Sequence, residues 1–346
     1  MISTLLKWSV GLSVVAAKAM TGANAGGWMV LEPWITPSLF YRFLDKAQNE
    51  TAMDSFTLCE TLGAAEGNAV MRAHWDAWYN ESSIADLAAR GVEVVRLPVG
   101  DWTLDPYGPY VGCMDGAAEK IDWFYDTCAK YNIKILMDVH AMKDSQNGYD
   151  NSGKTSNVVW SKDGMNFTHW ADQASNWYGD WNVETRVYDH INYASVNWGL
   201  KVHEHLLQRW GSHSAFYAFE PINEPQYQPI IEVLHDFYRE SRKLVQRYTA
   251  NAWFVMHNAQ VLDPEVWNSL FRDDDMDQVA VDIHYYQAFL TGARFATVQD
   301  ACDDYETVIS QQVDRLKYPV WLGEWALATD VCAWWLGGFN TANTHP

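Results

Sequence analysis

The chain is short of positive charge. Its 346 residues carry 24 Lys and Arg against 44 Asp and Glu, a formal net charge of −20. A surface of that sign repels phosphate backbones, so nucleic acid is not an expected partner. Past the N-terminal segment, no stretch reaches the roughly 18 unbroken apolar residues of a membrane-spanning helix. The five cysteines (Cys59, Cys113, Cys128, Cys302 and Cys332) contain no C-x-x-C pair, which argues against a structural zinc site. No G-x-G-x-x-G follows the early strands, so the signature of a dinucleotide fold is missing. "HEH" (203–205) lacks the H-E-x-x-H spacing of a zinc protease and reads as the solvated face of a helix. Neither a metal nor a cofactor is expected.

Aromatic residues are abundant instead: 19 Trp, 18 Tyr and 13 Phe. Most belong to a core. Those in "NWYGDWN" (176–182) and "RAHWDAWYN" (72–80) sit among polar residues, where flat rings suit the apolar face of a sugar. The N-terminus has Lys7, the apolar run "WSVGLSVVAA" (8–17) and "AKA" (17–19), the order of an export signal with an A-x-A cleavage site. An uncleaved anchor is the alternative. Residues 1–19 are therefore expected to be a leader and 20–346 a single secreted domain. Sequons at Asn49, Asn80 and Asn166 fit export, and the odd cysteine count leaves one thiol free or paired elsewhere.

Short apolar runs at 26–32, 92–100, 134–140, 216–224, 252–258, 279–286 and 319–325 read as strands buried on both faces. Helical spacing fills 83–90, 116–132, 184–210, 229–248 and 300–316. The alternation predicts an α/β chain forming a (β/α)8 barrel. Only seven strands can be counted, so the barrel is expected to be incomplete, with the eighth strand missing.

Function in such a barrel collects where strands end. Those ends carry Glu32, Arg96, His140, Asn223 with Glu224, His284 with Tyr286, and Glu324. Two carboxylates among neutral donors suit glycosidic hydrolysis: one protonates the leaving oxygen, the other attacks or activates water. In "AFEPINEPQY" (218–227), residues 220, 222 and 224 would share one strand face. Glu220 then lies a layer deeper, as a buried carboxylate paired with something such as Arg96, and Glu224 reaches the mouth before Pro225.

Six ordered segments carry a closer likeness: "GGWMVLEPWITPSLF" (26–40), "VVRLPVGDW" (94–102), "SQNGYDNSG" (145–153), "INEP" (222–225), "DIHYYQAF" (282–289) and "GEWALATDVCAWWL" (323–336). Together they resemble the secreted fungal-type exo-β-1,3-glucanases of glycoside hydrolase family 5, from about residue 24 to the end. The resemblance implies a retaining enzyme that releases glucose from non-reducing ends, with Glu224 as acid/base and Glu324 as nucleophile. It implies that Asn223 bonds the sugar 2-hydroxyl and that Arg96 and Tyr286 hold Glu324 ionised. His140 and His284 would line the subsite, Glu32, Asp150 and Asn151 would grip the terminal glucose, and Tyr149 and Phe289 would clamp the entrance. The partner is then a β-glucan, the location extracellular or in the cell wall, and the chain a monomer without cofactor. Cys302 and Cys332 match cysteines whose partners lie in the missing part. Lys143 and Asp144 depart from the family's small turn after the strand-three histidine. A non-catalytic glucan-binding homologue, an endo-β-glucanase or a β-1,6-glucanase are the alternatives.

Overall fold

The computed structural model describes residues 19–44, 46–156, 160–161, 164–167, 175–182, 184–225, 230–261, 263–272, 277–289, 297–326 and 328. Seven parallel strands lie side by side in chain order: β1 (Gly22–Asn24), β2 (Val94–Gly100), β3 (Lys134–Ala141), β4 (Phe216–Glu220), β5 (Trp253–His257), β6 (Val279–Tyr285) and β7 (Val320–Trp325). The sheet curls until the Asn24 side-chain amide on β1 donates to the Gly323 carbonyl on β7 at 2.7 Å, so the barrel is nearly closed. Helices α1 (Ser55–Trp78) and α2 (Glu81–Ala89) follow β1, and α3 (Ala117–Lys130) follows β2. α4 (Tyr193–Trp210), α5 (Ile231–Tyr248) and α6 (Val298–Val313) come after β3, β4 and β6.

Every residue of β2 is buried, because helices cover the outside and the other strands cover the inside. Val95, Leu97 and Val99 join the main core, where Trp28 packs on Tyr79 and Phe124. The inner face begins with a small apolar layer of Val94, Leu136, Ala218, Val255 and Ala280. Two residues further along each of those strands the layer turns polar: Arg96, Asp138, Glu220, His257 and Asp282, all buried. This change, repeated on five strands, sets the floor of the site. Outside the barrel, Cys59 on α1 is bonded to Cys113, closing a span of 54 residues worth about 4 kcal/mol in the chain-entropy account. Cys128 is buried and Cys302 exposed, both free thiols, and Cys332 lies outside the described residues.

Several expectations change. The run 26–32 is not a strand but a buried turn, with Gly27 at φ +67°. The neighbouring strand accounts for this. Ala25 N–H donates to the Arg96 carbonyl, so the backbone groups of residue 98 also face β1, and residue 98 is Pro98, with no N–H to give. The ladder therefore stops at Asn24 opposite Arg96. Within 184–210, residues Val187–Ile191 form an antiparallel ribbon with Gly179–Asn182, and the helix starts only at Tyr193, capped by the Asn192 side chain. α1 had no counterpart in the sequence reading. It begins with a reciprocal cap between Asp54 and Thr57 and kinks at Gly63. Trp177, Tyr178 and Trp75 are buried rather than displayed as sugar platforms. His203 of "HEH" is buried as well, donating to the Pro221 carbonyl and bonded to Ser241, so that face of α4 is not solvated. Burial holds its imidazole down at about 3, and it stays neutral.

Candidate active site

Arg96 stands at the centre of the polar layer. Its Nε donates to Glu220 at 2.8 Å, Nη1 to Glu324 at 2.8 Å and Nη2 to Asn223 at 2.8 Å. Asp138 is 3.1 Å from the same guanidinium and Asp282 is 3.8 Å from it. Arg96 thus sits inside β2 rather than at its end, and serves Glu220 and Glu324 together.

Glu324, near the end of β7, takes Arg96 on one oxygen and the Tyr286 hydroxyl, at 2.8 Å, on the other. Burial alone would raise its carboxyl. The positive charges of His284, Arg96 and His140 overcome that and hold it at about 2, so it is ionised.

Glu224 reaches the same cavity by a different route from the one expected. β4 ends at Glu220, and Ile222 packs into the outer core, so residues 220 to 224 do not share a strand face. A turn carries Glu224, whose φ of +39° lies in the left-handed region. Its carboxyl accepts from the Asn151 amide at 2.8 Å and from His284 Nδ1 at 2.8 Å. His284 Nδ1 is also 3.5 Å from Glu324 Oε2, and Nε2 is 3.3 Å from Asp282. Burial favours a neutral ring here, yet the charges of Glu324 and Asp282 push it well above the usual range, and both nitrogens donate.

His140 donates Nδ1 to Asp138 at 2.6 Å and faces Glu32 at 3.9 Å. Glu32 arrives from the turn after β1, not from a strand end. Burial, with the nearby charges of Glu324, Asp150 and Glu224, pushes its carboxyl up to about 8 against the opposing charge of His140. Asn223 is buried, with its amide 3.4 Å from His140 Nε2. Asp150 and Asn151 start a 3-10 turn with Tyr149, half-buried, before it. Phe289 ends a second such turn, Gln287–Phe289. Asn151 bonds Glu224 directly, a contact the sequence did not foretell. Lys143 and Asp144 brace their loop: the Lys143 ammonium lies over the Tyr107 and Trp198 rings, and Asp144 accepts from Ser195.

Asp138 and Asp282 were missed as site residues. The signal was present as a repeat, "DVH" on β3 and "DIH" on β6. An aspartate two residues before a histidine shares its strand face and orients the ring. Gly323 is a matching necessity. It donates to Asp282 at 2.7 Å, and a Cβ there would lie 2.0 Å from the Asp282 carboxylate.

Among the described residues, two groups of donors come close enough to consider for a cation, Glu224–His257–His284 and Glu220–Asp282–His284. The chemistry does not fit. His257 Nδ1 accepts the Ala259 N–H at 2.9 Å, and burial keeps the ring neutral, so its other nitrogen carries the proton and offers no lone pair. His284 donates from both nitrogens and is equally unsuited.

A parallel barrel with two carboxylates at its mouth, one held ionised, is the architecture of an O-glycosyl hydrolase. No family model matches the chain, but curated proteins do. It is 31% identical over 327 residues to the probable glucan 1,3-β-glucosidase A of Emericella nidulans, which covers 93% of this chain and 70% of that protein. Over 329 residues it is 32% identical to the glucan 1,3-β-glucosidase of Pichia angusta, covering 92% and 66%. Among solved structures, rutinosidase from Aspergillus niger shares the fold, with a TM-score of 0.66 at 20% identity over 91% of this chain and 82% of that one. The chain belongs to the glucan 1,3-β-glucosidases of glycoside hydrolase family 5, and spans about two thirds of the length of the relatives it matches. Among its described residues no helix is long and apolar enough to cross a membrane.

Proposed function

We propose that the chain hydrolyses β-1,3-glucan with retention, releasing glucose from non-reducing ends. One observation carries this. Glu224 Oε1 and Glu324 Oε2 share His284 Nδ1 at 2.8 and 3.5 Å. The two oxygens lie no further apart than those distances laid end to end, which falls short of the roughly 6.5 Å at which inverting pairs begin. Glu324, ionised, attacks the anomeric carbon while Glu224 gives its proton to the departing glycosidic oxygen. The glucosyl–Glu324 bond then breaks as water attacks from the opposite side, and Glu224 takes the water's proton back. Arg96 and Tyr286 keep Glu324 charged between turnovers. Asn223, His140, Glu32, Asp150 and Asn151 supply polar contacts for the glucose, with Tyr149 and Phe289 as the entrance clamp that the sequence likeness implies. No cofactor takes part. Export by the leader at 1–19, action on cell-wall glucan and a monomeric state complete the reading, with 20–346 as the catalytic domain.

The test is the first product of laminarin digestion, followed by proton NMR before mutarotation. β-Glucose is expected. α-Glucose would mean inversion, and a ladder of oligosaccharides would mean internal cleavage.

A further inference from the structure

The backbone at Asn223 and Glu224 works against local preference. Glu224 is not glycine, yet its φ is +39°. It also precedes Pro225, and a residue before proline is driven towards extended backbone. Such a conformation persists only when its surroundings over-determine it. Those surroundings come from one dipeptide in the loop after β3. Gln146, fully buried, donates through Nε2 to the Asn223 carbonyl at 2.9 Å and to the His140 carbonyl at 2.7 Å, while its own carbonyl oxygen accepts the Met142 N–H. Asn147, also buried, donates to the Glu224 carbonyl at 3.1 Å and to the Asn151 side chain at 3.2 Å. Asn151 in turn holds the Glu224 carboxyl. On the other side, Asn223 N–H donates to the Val139 carbonyl.

The loop is itself braced. The Ser145 hydroxyl bonds that of Ser152 at 2.5 Å and accepts the Gly148 N–H, and Asn147 accepts the Tyr149 N–H. The two carbonyls that flank the Glu224 peptide unit are therefore tied to adjacent side chains of a braced loop.

We propose that Gln146 and Asn147 are positioning residues: a two-amide clamp that keeps the Asn223–Glu224 backbone in its left-handed turn and so aims the Glu224 carboxyl at the leaving oxygen. This rests on the reading of Glu224 as the proton donor. The bonds of Gln146 and Asn147 do not include Glu324, so their loss should weaken proton delivery far more than nucleophilic attack.

Leaving-group dependence separates the two. Laminaribiose needs its leaving oxygen protonated, whereas 2,4-dinitrophenyl β-glucoside departs without help. kcat/KM, which reports glucosylation, is measured on both for the wild type, Glu224→Gln, Asn147→Ala and Gln146→Leu. The ratio of the two values does not depend on how much protein is folded. For Asn147→Ala and Gln146→Leu a loss of about 10- to 100-fold on laminaribiose is expected, with less than about threefold on the dinitrophenyl glucoside. Equal losses on both substrates, with Glu224→Gln still selective for laminaribiose, overturn the clamp alone. If Glu224→Gln itself lowers both equally, the assignment of Glu224 falls and the clamp's role falls with it.

Discussion

Arg96 and Glu324 meet at 2.8 Å although 228 residues separate them, and the same guanidinium reaches Glu220, Asn223 and Asp138. One buried cation thus offsets several carboxylates. Replacing Arg96 with Met should cost about 3–5 kcal/mol, because Glu220 and the acids around it lose the guanidinium that they share. The double variant Arg96→Met/Glu220→Gln should regain part of that in urea unfolding without regaining turnover. A double variant as unstable as the single one would show that Glu220 is not the group Arg96 compensates.

The two glutamates should fail in opposite stereochemical senses. Without the Glu324 carboxylate, azide can attack the face it vacates, so Glu324→Ala with azide should give α-glucosyl azide. Glu224→Ala still forms the glucosyl intermediate from an activated substrate, and azide should then give β-glucosyl azide. Either variant should lose on the order of 10⁴-fold or more on laminarin itself. NMR of the azide adducts decides the assignment, and exchanged products would reverse the roles.

Two carboxyls should leave opposite marks on stability against pH. Glu324 sits at about 2, below the ordinary value of about 4.3, so its contribution is present above about pH 4 and is lost as pH falls towards 2. Glu32 is raised to about 8, so its contribution is full below about pH 4 and is lost as pH rises towards 8. Glu32→Gln should flatten the decline in Tm between about pH 5 and 8, and Glu324→Gln the one between about pH 4 and 2. Unchanged slopes in melting curves would refute either shift.

Gly323→Ala should be costly out of proportion to one methyl group. The added carbon would lie 2.0 Å from the Asp282 carboxylate, which must then retreat from His284. A loss of about 1–3 kcal/mol is expected from the overpacking, together with a fall in kcat. Wild-type kcat in a destabilised protein would mean that Asp282 does not govern His284.

Most of the site could be read in the chain because strand ends are marked by a change from apolar to polar residues. Arg96, His140, His284 and Glu324 lie on β2, β3, β6 and β7 as that change suggests, and the pairing of Arg96 with Glu220 follows from a buried cation facing buried acids. What could not be read depends on groups distant in sequence. The end of β1 depends on Pro98, in the next strand. The turn that presents Glu224 depends on Gln146 and Asn147, about 77 residues earlier. Strand alternation assumed that the pleat continued past Glu220, although Pro221, with no N–H to give the ladder, follows at once and marks where it stops. The buried surroundings of Trp177 and Tyr178 were hidden because their polar neighbours in sequence are not their neighbours in space.

His284 stands between the two carboxyls, donating to Glu224 and lying 3.5 Å from Glu324. The two glutamates therefore share one neighbour. A change at that imidazole alters the surroundings of both glutamates at once, so adjusting one by itself falls to the residues that touch only one of the two: Asn151 for Glu224, Arg96 and Tyr286 for Glu324.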